Sequence, residues 1–316
     1  MKITVLDGAT LGADLDLSPL SRLGELTVCE NTAPEEVAAR LADTDVAVIN
    51  KIRVNAENLA GNTRLKMIAE CATGFDNIDL AVCREKGIAV ANVVGYSTHS
   101  VAQLTLAMAL SLSTNLKAFR RTVDSGAYTA GGVANCLTPV YHEMCGRAWG
   151  VVGFGNIGAQ VARVAEAMGC HVLAFAKSPK TGVENATLEE LCRRADIISV
   201  HLPLTPETRG IIGAREIALM KPDAVLINVA RGAVTDEKAL ADAILSGRLG
   251  GLGVDVYSAE PFPADHPFTA LRDLDNVCLT PHMAWGAYEA RARCLAEVAE
   301  NIAAFQKGEK RNRVDC

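Results

Sequence analysis

The chain has 316 residues, 49% hydrophobic and 22% charged, an ordinary balance for an α/β protein, and its length favours two domains over a single core. A formal charge of −6, without the clustered Lys and Arg that phosphate backbones require, argues against a nucleic-acid partner. The ten cysteines lack C-x-x-C spacing, so reduced and mostly buried thiols in a cytoplasmic protein are expected.

The opening run Met1-Lys2-Ile3-Thr4-Val5-Leu6-Asp7 is too short for a signal peptide and reads as the first strand of a parallel sheet. Further apolar runs follow at Val46–Ile49, Met67–Cys71 and Ile88–Ala91. Helical patterns separate them, among them Pro34–Ala42 and Asp79–Lys86, the latter stopped by Gly87. From Asn92 to Leu116 no residue carries a formal charge, but Ser97, Thr98, His99, Ser100 and Gln103 interrupt the apolar content too often for a membrane span. That stretch reads as a loop and a long buried helix, with Ser100 and Gln103 spaced as a capping box.

A second series of six strands is expected at Trp149–Phe154, His171–Phe175, Ile197–Val200, Ala224–Val229, Leu252–Val256 and Val277–Leu279. Helices fall between several of them. Thr187 with Glu190 forms a capping box, and Asp236 is placed to cap the helix that Gly247 closes. After the last strand, the helical pattern Tyr288–Phe305 has no sheet left to serve in its own domain and is expected to return to the first one. Strands alternating with helices throughout imply two parallel sheets built from βαβ units.

The first strand of the second series runs into Gly153-Phe154-Gly155-Asn156-Ile157-Gly158 and then into a helix with Ile157, Val161, Ala165 and Met168 on one face. G-x-G-x-x-G predicts dinucleotide binding in this strand-to-helix context: the first glycine for the turn, the second for close approach to the pyrophosphate, the third for helix packing. Three polar residues then stand just past strands, where open α/β sheets bind ligands. Arg231, before Gly232, offers a fork suited to a carboxylate, against the alternative of a surface arginine in a turn. Glu260 and His282 follow the next two strands, and a carboxylate beside an imidazole orients it and favours its protonated form, as a general acid requires. His201 has no matching carboxylate, so cofactor contact is the expected role. His99, His142, His171 and His266 suggest no site, no cluster has zinc-ligand spacing, and no G-x-S-x-G elbow is present.

An acidic residue normally ends the second strand of an NAD-preferring fold, about 20 residues past the glycine loop. Here Ala176 stands in that place and Lys177, Ser178 and Lys180 follow. Losing the acid removes repulsion of a 2′-phosphate, which favours NADP(H) over NAD(H), with dual use as the alternative.

The chain resembles the D-isomer-specific 2-hydroxyacid dehydrogenases over nearly its whole length. The matching segments are Ala72–Asp79, the Gly153 loop, His201–Thr208, Asn228–Gly232, Asp255–Pro261 and Thr280–His282. Within that family it is similar to the glycerate dehydrogenase or hydroxypyruvate reductase branch, through Tyr96-Ser97-Thr98, Ser100–Gln103 and His282–Trp285. The resemblance implies a Rossmann-type doubly wound cofactor domain (99–286) and a smaller flavodoxin-like α/β substrate domain (1–98 and 287–316), with the site in the cleft between them. It also implies a homodimer acting on a small 2-keto or 2-hydroxy acid, hydroxypyruvate or glyoxylate first. Phosphoglycerate, formate and phosphonate dehydrogenases are lesser alternatives, and a partner-binding corepressor on the same fold is the rival from another class.

The roles it implies are specific. His282 gives a proton to the keto oxygen, Glu260 holds and charges His282, and Arg231 binds carboxylate and carbonyl. Thr73 and Gly74 offer N–H groups to the carboxylate, and Lys51 is either a further anion contact or a solvated lysine. Asp255 contacts the nicotinamide amide or supports its pocket. The cofactor contacts are Thr73, Gly153, Gly155, Asn156, Ile157, Gly158, Lys177, Ser178, His201, Leu202, Pro203, Val229, Ala230, Arg231, Asp255 and His282. Trp285 either limits the substrate to a small one or packs at an interface.

Overall fold

A computed structural model describes residues 1–316. The chain divides into two compact units, Met1–Ser97 with Gly286–Cys316, and Thr98–Trp285. In the first, strands β1 (Lys2–Val5), β2 (Glu25–Val28), β3 (Val46–Ile49), β4 (Met67–Glu70) and β5 (Ala89–Ala91) form one sheet in the order β2-β1-β3-β4-β5. Every pairing is parallel. This is the flavodoxin-like order, and strands buried on both faces explain why β3 and β4 read as unbroken apolar runs. β2 was not expected: it is an edge strand, mostly exposed, and Glu25-Leu26-Thr27-Val28 lacks the apolar run of the central strands. At the other edge the C-terminal tail covers β5, with an antiparallel bridge from Ala91 to Arg313 and the Val314 N–H donating to the Val90 carbonyl.

The second unit carries seven strands where six were expected: β6 (Ala148–Val152), β7 (His171–Phe175), β8 (Glu184–Asn185), β9 (Ile197–Val200), β10 (Val225–Asn228), β11 (Gly251–Val254) and β12 (Val277–Leu279). The order is β12-β11-β10-β9-β6-β7-β8, all parallel. The extra strand is a two-residue polar edge piece with no hydrophobic pattern to betray it. The order reverses between β6 and β9, so the crevice for a ligand lies at their carboxyl ends, beside the glycine loop. Two apolar layers flank the sheet. One packs Leu191, Ile217, Leu240 and Ile244 against Leu173, Ile198, Leu226 and Leu252, and the other packs Met108, Leu112, Val161 and Ala165 against Trp149, Val172 and Ile227.

Local signals set several boundaries. Thr187 and Glu190 form their capping box, Asp236 accepts from the Ala239 N–H, and Gly247 ends its helix with φ +71°. The expected capping box at Ser100 and Gln103 does not form. The helix Thr98–Ser113 begins two residues earlier, and Ser100 instead donates its hydroxyl to the Ala284 carbonyl at 2.5 Å. No helix is long and apolar enough to cross a membrane.

Candidate active site

The glycine loop shows three distinct steric tasks. Gly153 has φ +101°, and a Cβ there would lie 2.7 Å from the His201 carbonyl carbon and 2.8 Å from the Leu202 nitrogen. At Gly158 a Cβ would lie 2.2 Å from the Gly153 carbonyl oxygen, so only glycine lets this helix sit so close to β6. A Cβ on Gly155 would meet nothing within 4 Å, which leaves a cradle at the start of the helix Asn156–Ala167, whose N-cap makes no side-chain bond. Uncapped N–H groups and a bare backbone fit a pyrophosphate. Asn156 and Ile157 open that helix.

At the end of β9, His201 hydrogen-bonds through Nε2 to Ser199 Oγ at 3.0 Å, and Trp149 Nε1 donates to the same hydroxyl at 3.0 Å. Burial pushes the His201 imidazole down to about 3, so it is neutral, and its Nδ1 has no protein partner. Leu202 and Pro203 continue from it; Thr208 Oγ1 donates to the Pro203 carbonyl at 2.6 Å and closes that loop. After β7, Lys177 and Ser178 are exposed beside Ala176, on a loop that Asn185 closes through two hydrogen bonds to the Lys180 backbone.

The loops after β10, β11 and β12 are held by buried polar side chains. Asn228, fully buried, accepts from the Ala230 N–H at 3.0 Å and donates to the Arg231 carbonyl at 3.0 Å. This fixes the turn through Val229 and Ala230 that presents Arg231. Gly232 follows, where a Cβ would lie 2.0 Å from the Tyr257 carbonyl carbon, so this turn rests directly on the backbone of the next loop. In that next loop Glu260 accepts from the Tyr257 N–H at 2.9 Å with one oxygen and faces His282 Nδ1 at 2.6 Å with the other. The structure therefore brings Glu260 and His282 together within hydrogen-bonding distance.

His282 has a left-handed backbone, φ +53°, uncommon for a residue other than glycine. Asp255 holds the turn in that shape. Its carboxylate, fully buried, accepts from Thr280 Oγ1 and from the N–H groups of Met283 and Ala284 at 2.9 and 2.8 Å. Asp255 thereby ties the end of β11 to the turn that carries His282. Burial pushes its carboxyl above the usual range, and the hydrogen bonds oppose that rise. Trp285 packs against the core layer of this unit that contains Met108 and Trp149.

In the first unit the corresponding loops lie past β1, β3 and β4. Asp7 accepts from the N–H groups of Asn50 at 3.1 Å and Lys51 at 2.6 Å, which sets the backbone that carries the exposed Lys51. The loop 72–79 is tied on two sides. Thr73 Oγ1 donates to the Val93 carbonyl and Asn92 Nδ2 to the Thr73 carbonyl, while Asn77 Nδ2 donates to the Ile52 carbonyl and to Glu70 Oε2. These bonds use side chains and carbonyls, and leave the N–H groups of Thr73 and Gly74 uncommitted. Sequence reasoning assigned no role to Glu70, Asn77 and Asn228, because nothing in such a residue shows which groups of a loop it will hold.

The family model described as D-isomer specific 2-hydroxyacid dehydrogenase, NAD binding domain, matches residues 106–284. A glycerate dehydrogenase of Methylorubrum extorquens is 35% identical over 90% of this chain and 89% of its own. A hydroxypyruvate reductase of Blautia hydrogenotrophica is 34% identical over the full length of both. Among solved structures, a D-lactate dehydrogenase from Aquifex aeolicus, complexed with NAD and lactic acid, is 30% identical with a TM-score of 0.87, covering 98% of this chain and 96% of its own. With a glycine cradle for a nicotinamide dinucleotide and these relatives, the chain belongs to the D-isomer-specific 2-hydroxyacid dehydrogenases.

Proposed function

We propose that the protein reduces a small 2-keto acid, hydroxypyruvate or glyoxylate, to its D-2-hydroxy acid, with NADP(H) favoured over NAD(H). The observation that carries this reading is the 2.6 Å contact between Glu260 and His282 Nδ1 at adjacent strand ends. With Nδ1–H directed at the carboxylate, the opposite ring nitrogen is the proton donor to the keto oxygen, and Glu260 stabilises the imidazolium. The nicotinamide, when bound, supplies the hydride. Arg231 neutralises the substrate carboxylate and polarises the carbonyl, and the Thr73 and Gly74 N–H groups, with Lys51, complete the anion contacts. Ala176 followed by Lys177, Ser178 and Lys180 supports NADP(H), because no acid opposes a 2′-phosphate.

Steady-state rates with hydroxypyruvate, glyoxylate and pyruvate, each with NADPH and NADH, test the reading. Turnover should be highest with one of the first two and NADPH, and His282→Asn should lower kcat by about 10³-fold, as expected for loss of a general acid. No oxidation of either cofactor with any of the three, or full turnover in His282→Asn, would overturn it.

We also infer a homodimer. Leu116, Val123, Val133, Leu137, Val140 and Tyr141 are exposed within one segment of the second unit, Leu137 to 75%, and covering them with a second copy removes that apolar surface from water. Sedimentation velocity showing a monomer at micromolar concentration would refute this. Ten free cysteines support a reducing, cytoplasmic setting.

A further inference from the structure

We propose that Glu237 and His266 form a positioning pair that holds the Glu260 carboxylate against His282. The inference rests on the reading of His282 as the proton donor, and it assigns work to a histidine that no motif singles out. Glu237 opens the helix Glu237–Leu245, yet Asp236 already caps that helix through the Ala239 N–H. The Glu237 carboxylate points instead at the loop after β11. It accepts from the Ser258 N–H at 2.8 Å, from the Ser258 hydroxyl and from His266 Nε2 at 3.0 Å.

The imidazole is oriented from its other side. His266 Nδ1 accepts from the Phe268 N–H at 3.2 Å, so its proton sits on Nε2 and is given to Glu237 by a neutral ring. The two side chains are only 5% and 9% exposed, and Phe262 and Phe268 close on the ring with centroids 4.8 and 5.0 Å away. Such a buried polar pair adds little net stability over an apolar filling of the same space, but it is directional. Its direction is toward the catalytic turn. Ser258 lies between Tyr257, whose N–H holds one Glu260 oxygen, and Glu260 itself, whose other oxygen meets His282. Tyr257 is pinned at its far end, where its hydroxyl donates to the Thr280 carbonyl two residues before His282. Releasing Ser258 removes the anchor on that side of the turn and lets the carboxylate shift away from the imidazole.

The test follows the His282 ring by NMR titration of the full-length protein, with kcat/KM of reduction measured alongside. His282 faces the carboxylates of Glu260 and Asp255, while Glu237 lies among His266, Asp236 and Lys238, so Glu260→Gln serves as the reference change. It should move the His282 midpoint to lower pH. Glu237→Ala should move it the same way by at least half as much, lower kcat/KM about tenfold on the alkaline side, and add nothing further in the Glu260→Gln background. His266→Gln, which keeps a donor at the same place, should restore most of what His266→Ala loses. If Glu237→Ala does not fold, His266→Ala and Ser258→Ala carry the test. An unmoved His282 midpoint in the folded variants, with only a lower melting temperature, would overturn the proposal. The titration needs no turnover, so a shifted midpoint in a protein that reduces no 2-keto acid would keep the pair and sink the reaction instead.

Discussion

The glycine loop and the three loops after β10, β11 and β12 stand at the same end of one sheet, and opposite means shape them. Around Gly153 the site is made by leaving atoms out: two glycines sit where a Cβ would strike backbone, and a third leaves open space. Around Arg231, Glu260 and His282 it is made by adding buried polar groups, with Asn228, Asp255 and Glu237 each satisfying two or more donors or acceptors of a neighbouring turn. The difference suits the tasks. A pyrophosphate needs bare backbone and room, whereas the proton donor proposed at His282 needs a fixed direction.

Substitutions can sharpen this contrast. Gly158→Ala should cost the most, about 3 kcal/mol or more of stability in urea unfolding, because its methyl group would meet a carbonyl oxygen rather than a movable side chain. Asn228→Ala should cost about 2 kcal/mol by the same measurement, since it strands buried groups of the Arg231 turn. Gly155→Ala should leave stability within about 0.5 kcal/mol of wild type yet weaken NADPH binding about tenfold by fluorescence titration. Equal losses of stability at Gly155 and Gly158 would break the distinction between the two glycines.

The smallest effect lies in the other unit, where Glu70 supports the loop 72–79. Burial holds its carboxyl well above the ordinary 4.5, against the weaker opposing effect of the Asn77 hydrogen bond. The folded chain therefore binds this proton more tightly than the unfolded chain, and the stability it contributes is present below pH 4.5 and lost as pH rises through the folded value. Glu70→Gln keeps the neutral shape. It should match wild type near pH 4 and be more stable by about 1 kcal/mol at pH 8. A variant less stable than wild type at pH 8 would mean that the ionised carboxylate does the holding.

Much of this was legible in the residues and some was not, for physical reasons. Central strands such as Val46–Ile49 and Ile197–Val200 are buried on both faces and therefore declare themselves, whereas the edges β2 and β8 are short and polar and carry no such signal. Arg231, Glu260 and His282 stood out because chemistry-bearing residues at strand ends are uncommon. Their supports did not: Glu237 and His266 are 29 positions apart, and only folding shows that one carboxylate serves both His266 and Ser258. Ser100 misled because a capping spacing is a local pattern, and its hydroxyl was taken by a carbonyl 184 residues away.

The left-handed backbone at His282 restricts which amino acids can occupy the position at all. At φ +53° the residues that fit with least strain are glycine, asparagine, aspartate and histidine, while β-branched and bulky side chains pay a steric penalty. Among those four, histidine alone exchanges a proton near neutral pH at its ordinary value. On the proposed reading of His282 as proton donor, the turn that Asp255 imposes thus narrows the choice of donor before any substrate enters, and a replacement by lysine or tyrosine would have to remake the backbone as well as the chemistry.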